Sequence, residues 1–183
     1  MQETLTTPIV QWALDASHSE IQFKVRHLMI SHVTGQFNTF SGSVETEEDD
    51  FESAKIHFTA DIDSVSTNNA QRDAHLKNGD FFDMESHPKL NFESTRLEKI
   101  NEEEYKLYGI LTMRGISKNI ALNVEIGGIT KDPWGNTRIG LSATTKINRK
   151  DFGLSWNAVL ETGGILVGDD VTITLDLELL KSD

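Results

Sequence analysis

The feature that most constrains this chain is strict alternation of apolar and polar side chains, repeated in run after run. In Ile116–Ile129, residues Ile120, Leu122, Val124 and Ile126 point one way, and Ala121, Asn123 and Glu125 the other. In Val171–Leu179, Val171, Ile173, Leu175, Leu177 and Leu179 oppose Thr172, Thr174, Asp176 and Glu178. A period of two places alternate residues on opposite faces of a strand, so one face is buried and the other wet. The same signature recurs in Ile21–Val25, Ala54–Ser64, Leu90–Leu97, Tyr105–Met113 and Thr137–Ile147. A short strand is expected over Gln11–Asp15, with Trp12 and Leu14 on one face. His27–Ile30 breaks the alternation and reads as a bend or a single helical turn. Phe37 and Phe40 are three apart, which predicts a bulge near Ser41-Gly42.

About eight strands joined mainly by short turns imply antiparallel pairing in a barrel or a sandwich. Strands of ten residues or more favour the barrel, because closure removes exposed edges. The expected class is therefore all-β with one or two short helices. Turn chemistry at Asn101–Glu104, Arg114-Gly115 and Asp132–Asn136 fits that reading. The acidic run Glu45–Asp50 is expected as a hairpin loop, and Gly163-Gly164 as a flexible loop between strands.

One stretch interrupts the pattern. Ser64–Asp83, SVSTNNAQRDAHLKNGDFFD, predicts a helix with Asn68 as N-cap, Gln71 as its capping-box partner and Gly79 as the left-handed stop. Helical spacing puts Arg72, His75 and Leu76 on one face. The adjacent rings of Phe81 and Phe82 follow, a placement that suits a lid over something apolar.

The chain has 183 residues and no cysteine, which predicts one domain over residues 11–181 after a flexible tail over 1–10, with no disulfide framework or thiolate metal site. A net charge of −12 argues against nucleic acid as partner, since phosphate binding needs a basic face. No run approaches the length of a membrane-spanning helix, and the start has no basic, then apolar, leader. The expectation is a cytoplasmic protein without an integral membrane segment. The six histidines show no tight metal spacing, and no nucleophile elbow or phosphate loop is present.

Arg72-Asp73-x-His75 is the best polar candidate. It could serve as a general base with its carboxylate, as a clamp in which Arg72 pairs with a carboxylate at a barrel rim, or as a grip on the polar head of a ligand. Inward positions Phe23, Phe58 and Phe92, with Phe81, Phe82 and Leu76 at the mouth, suit either an apolar cavity or a filled core. Phe152 and Trp156 read mainly as core.

Several ordered blocks carry a resemblance. They are D-x-x-H-S-x-I-x-F at Asp15–Phe23, V-R-H at Val25–His27, G-Q-F at Gly35–Phe37 and S-V-S-T at Ser64–Thr67. R-D-x-H-L-K at Arg72–Lys77 and D-F-F-D at Asp80–Asp83 follow, then H-P-K-L-N-F at His87–Phe92 and G-x-L-T-M-R-G at Gly109–Gly115. R-K-D-F-G at Arg149–Gly153 and G-D-D-V at Gly168–Val171 complete the set. Together they resemble the YceI-like family, also called polyisoprenoid-binding or lipid-binding YceI-like domains.

The resemblance implies a lipocalin-like, extended, eight-stranded antiparallel β-barrel. Its apolar tunnel would hold a long-chain amphiphile such as an isoprenoid quinone, a polyprenyl or a fatty-acyl lipid. It implies no catalytic residues, so no enzyme is expected, and no cofactor beyond such a lipid. Members are often dimers, which makes a homodimer a candidate assembly. Many Gram-negative members are exported behind a signal peptide; this chain departs from them there, which weighs against a periplasmic carrier. The expected lining is Phe23, Val25, Phe37, Phe58, Ala60, Leu76, Phe81, Phe82, Phe92 and Trp156, with Arg72 and His75 near the head group. The alternative reading is a ligand-free barrel acting as a stress-related interaction protein through its acidic surface.

Overall fold

The computed structural model describes residues 6–182. The elements are β1 (Ile9–Leu14), β2 (Glu20–His27), β3 (Ser31–Phe37), β4 (Phe40–Glu47), β5 (Asp50–Asp61), β6 (Val65–Ser66), α1 (Ala70–Lys77), β7 (Lys89–Lys99), β8 (Glu104–Met113), β9 (Ile116–Lys131), β10 (Thr137–Asn148) and β11 (Val167–Lys181). All pairings are antiparallel, and the sheet closes on itself where β1 and β2 meet β11.

The eleven segments make eight barrel strands. β2 pairs along β11 from Val167 to Asp176, and β1 continues along the same edge from Leu179 to Lys181. β1 and β2 are thus halves of one strand, broken by a single 3-10 turn at Ala16–His18. β3 and β4 lie against β2 and β1 in the same way, and β5 and β6 against β4 and β3. With β7 to β11 the ring is an eight-stranded up-and-down barrel.

The break between β3 and β4 replaces the bulge expected at Ser41-Gly42. It falls at Asn38-Thr39, where the carbonyl of Thr39 accepts from the Asp61 amide at 2.9 Å. That break resets the alternation, so Phe37 faces the interior while Phe40 packs on Phe58. The bend at His27–Ile30 is a tight hairpin turn, not a helical one, with Leu28 and Met29 at φ 54° and 62°. The acidic run is mostly strand: only Glu48 and Asp49 lie outside β4 and β5. The predicted tail is shorter than residues 1–10, because Ile9 and Val10 pair with Glu47 and Thr46; its first five residues lie outside the described ones.

The helix is also shorter than expected. α1 spans eight residues, and its N-cap is Asn69, whose Oδ1 accepts from the Arg72 amide at 2.9 Å. Asn68 instead sits in a left-handed turn at φ 60°. The stop is Asn78 in an extended conformation, not Gly79. β5 and β7 stay paired down to Asp61 and Lys89, after which β6 diverges and α1 occupies the space it leaves. α1 is therefore an insertion at one end of the barrel.

The opposite end is fastened by Arg138 of β10. Its guanidinium donates to Asp132 Oδ2 at 2.7 Å, Asp15 Oδ2 at 2.8 Å and Glu178 Oε1 at 2.7 Å. These contacts tie the β9–β10 turn to the break between β1 and β2. Arg138 pulls the Asp132 carboxyl down to about 2, and Ser17, Arg138 and His18 hold Asp15 lower still. Both folded values lie below the unfolded value near ~3.9. Their stabilisation is therefore complete above about pH 4 and is lost as pH falls toward about 2. We expect Arg138→Met to lower stability at neutral pH and to flatten the acid limb between pH ~4 and ~2, read by urea unfolding at a series of pH values. An unchanged acid limb would remove this assignment.

Candidate functional site

The inward faces of the strands do not meet at the axis. They enclose an apolar tunnel with a volume of about 380 Å³. Ile120, Leu122, Val124 and Ile126 of β9 line it, as do Val171, Ile173, Leu175, Leu177 and Leu179 of β11, so the period-two faces point into it as expected.

All of the expected lining residues reach this one cavity. Phe23 and Val25 come from β2, Phe37 from β3, Phe58 and Ala60 from β5 and Phe92 from β7. Arg72, His75 and Leu76 come from α1, Phe81 and Phe82 from the turn after it, and Trp156 from the loop before β11. Trp156, read mainly as core, is half-buried: it packs against the core and also lines the tunnel. Phe152, 1% exposed, is core.

Three inward phenylalanines lie over glycines. Phe23 faces Gly35 across the β2–β3 pair, and a Cβ there would come within 2.3 Å of Cζ. Phe92 covers Gly109 diagonally across the β7–β8 pair, again within 2.3 Å of where a Cβ would lie, and Phe58 faces Gly42. A ring laid flat on a glycine stays against the wall, and so leaves the lumen open. Sequence reasoning missed these glycines; the signal was a glycine inside an alternating strand, which marks close approach by another group.

The mouth lies beside α1. His75 stands edge-on to both Phe81 and Trp156, with ring centroids 5.0 Å and 4.7 Å away. Its Nε2 pairs with Asp80 at 2.9 Å, so the carboxylate partner of His75 is Asp80 and not Asp73. Asp73 is engaged elsewhere: its Oδ1 accepts from the Thr67 amide at 2.8 Å and hydroxyl at 2.6 Å. Arg72 donates to Thr67 Oγ1 and to its carbonyl, both at 2.7 Å. Arg72 therefore clamps a threonine, in place of the carboxylate pairing considered from sequence. Across the mouth, Arg114 holds the Phe81 turn by donating to the carbonyls of Gly79 and Phe81, both at 2.7 Å.

Arg149 is a further lining residue that sequence reasoning missed. It is 4% exposed, and its guanidinium donates to the carbonyls of Leu154, Trp156, Gly168 and Val167. Burial pushes its pKa down, and Asp169 at 4.0 Å pulls it back up. The R-K-D-F-G block contained it, but nothing local marks which backbone carbonyls it reaches.

At the far end the tunnel is floored by Phe51, Leu97, Leu141 and Leu177. Trp12, 1% exposed, packs on Phe51 with centroids 5.7 Å apart. Its indole donates to the buried Thr46 hydroxyl at 3.3 Å. Asp15, His18 and Glu178 bring three ligand-type atoms within 4.8 Å of one another, but the Arg138 cation already sits against Asp15 and Glu178.

The YceI-like domain profile matches residues 12–179, nearly the whole described barrel. The chain belongs to the YceI-like family. It is 35% identical over 176 residues to the UPF0312 protein SA2479 of Staphylococcus aureus strain N315, covering 96% of this chain and 100% of the relative. Among solved structures, the Campylobacter jejuni YCEI protein superposes with a TM-score of 0.74 at 33% identity, covering 100% of both chains. BcnA of Burkholderia cenocepacia gives 0.77 at 19% identity, over 90% of this chain and 98% of that one. A polyisoprenoid binding domain from Saccharophagus degradans, implicated in plant cell wall breakdown, gives 0.73 at 15% identity, over 93% and 98%. These last two share the fold.

Proposed function

We propose that this YceI-like barrel binds, sequesters or transports a single long-chain amphiphile, such as an isoprenoid quinone, a polyprenyl or a fatty-acyl lipid. The observation that carries this reading is the apolar tunnel, whose lining takes in Arg72 and His75 at the α1 end of the barrel. Burial supplies the affinity, at ~0.8 kcal/mol for each methylene taken out of water. The polar head lies at the mouth, next to Arg72, His75 and Trp156. The Saccharophagus degradans domain that shares this fold is named a polyisoprenoid binding domain, which fits a tunnel of this kind. We read the role as binding: Asp73 and Arg72 are spent on Thr67, and His75, paired with Asp80, stands edge-on to Phe81 and Trp156 as part of the tunnel wall.

The direct test is native mass spectrometry of protein purified gently from its own host, followed by organic extraction. A stoichiometric long-chain species is expected. Protein that is empty, and that takes up neither added quinones nor fatty amides, would instead favour an interaction role for the acidic surface.

The glycine-backed rings provide a second test. Gly35→Ala forces the Phe23 ring off the wall, because the new Cβ would overlap Cζ at 2.3 Å. The ring then swings into the lumen, and uptake of a fluorescent fatty-acid probe should weaken by ~5- to 150-fold, the equivalent of an overpacking cost of ~1–3 kcal/mol. Gly79→Ala meets nothing within 4 Å and serves as the control. Equal binding by both variants would count against an open lumen at Phe23.

A further inference from the structure

We propose that the tunnel is a slot for one chain of about fifteen carbons, and that Phe51 sets its depth. The inference rests on the binding role above and narrows the class of ligand. Its first support is volume. An apolar cavity of ~150 Å³ takes one benzene, or ~25 Å³ per carbon. At that packing the tunnel's 380 Å³ accommodates ~15 carbons. A saturated or monounsaturated acyl chain of ordinary length fits, and so does a prenyl chain of about three isoprene units. A polyprenyl chain of about forty carbons would need ~1,000 Å³, so most of it would trail out of the mouth.

The second support is the floor, which is backed by a rigid polar lock. Phe51 lines the tunnel and rests on Trp12. Trp12 and Thr46 are each 1% exposed, and the Thr46 hydroxyl that accepts the indole N–H donates onward to the Glu48 carbonyl at 2.6 Å. Displacing Trp12 would leave a buried donor unpaired, which costs ~1–3 kcal/mol. A longer chain therefore cannot deepen the slot by pushing the indole aside. The side walls are fixed as well, because the rings of Phe23 and Phe92 already lie against backbone at Gly35 and Gly109.

The test is a length series on the full chain after delipidation. Linear fatty alcohols of about eight to twenty-two carbons, and prenyl alcohols of about ten to forty, compete against a fluorescent fatty-acid probe. Affinity should rise about fourfold per added methylene, the equivalent of ~0.8 kcal/mol, and level off near fifteen carbons in both series. Phe51→Ala should move the break about four to six carbons longer. Leu97→Ala, at the same floor, should move it by about three. Affinity that keeps climbing to the longest prenyl alcohol would overturn the slot while leaving the binding role intact. A break that stays put in both floor variants would overturn the assignment of depth. No binding by any alcohol would overturn the binding role itself, and the slot with it.

Discussion

Ala60→Phe is expected to lower the affinity for a long-chain ligand about a thousandfold while the barrel stays folded. Ala60 is 0% exposed on β5, and it lines the tunnel between its register partners Phe40 and Leu90. A phenyl group projecting from this position claims the space of about six ligand carbons. At ~0.8 kcal/mol per methylene the loss is ~5 kcal/mol, somewhat more than three powers of ten in affinity. Overpacking in a filled core costs ~1–3 kcal/mol. Here the ring enters a void, so the cost should fall at the low end of that range. Probe titration together with a thermal melt separates the two effects. Uptake that survives in a folded variant would mean that the ligand lies elsewhere. A variant that unfolds would mean that the lumen is tighter than its volume indicates.

Arg149→Met should be the most destabilising single change at the site, at ~3–5 kcal/mol, the range for removing one partner of a buried charged network. The guanidinium satisfies four carbonyls, on Leu154, Trp156, Val167 and Gly168. Those carbonyls belong to the loop that carries Trp156 and to the start of β11. Removing the guanidinium orphans all four and leaves Asp169 with Lys150 as its remaining cation. For a chain of this size ~1 kcal/mol corresponds to ~2–4 °C, so the melting temperature should fall by about 6–20 °C. Arg149→Lys should recover only part of the loss, because an ammonium cannot present the planar fork that reaches several carbonyls at once. A melt within a degree or two of the parent would show that the loop is held by other contacts, chief among them Asn157, which bridges to Leu166 and Val167.

The barrel was legible because alternation is a local property with a global consequence. Once Ile120 to Ile126 and Val171 to Leu179 are each apolar on one face only, both faces must meet a shared interior, and antiparallel closure follows. The same logic brought Phe23, Phe58, Ala60 and Phe92 to one cavity. Helical spacing correctly grouped Arg72, His75 and Leu76, since that relation depends only on three and four residues of separation.

Local pattern was weaker at ends and breaks. Asn68 and Asn69 are equally good caps by residue type, and only the course of the chain after β6 decided for Asn69. Phe37 and Phe40 could be reconciled by a bulge or by a break, and the hydrogen bond from Asp61 to Thr39 selected the break.

The amino-acid sequence alone determined that this protein is an all-β barrel with a helical insertion and an apolar inward face, because periodicity and family blocks are written along the chain. Only the tertiary structure decided that the inward face encloses a space and is not packed solid. That outcome depends on which residue sits opposite which: Phe23 over Gly35, Phe58 against Gly42 and Phe92 over Gly109. It also decided the partners of the polar groups at the mouth, since Asp80 reached His75, Thr67 took both Arg72 and Asp73, and Arg149 found carbonyls up to nineteen positions away. Side-chain volume across strands and long-range donor–acceptor pairing are set by register and closure, and neither is encoded in the spacing of one segment.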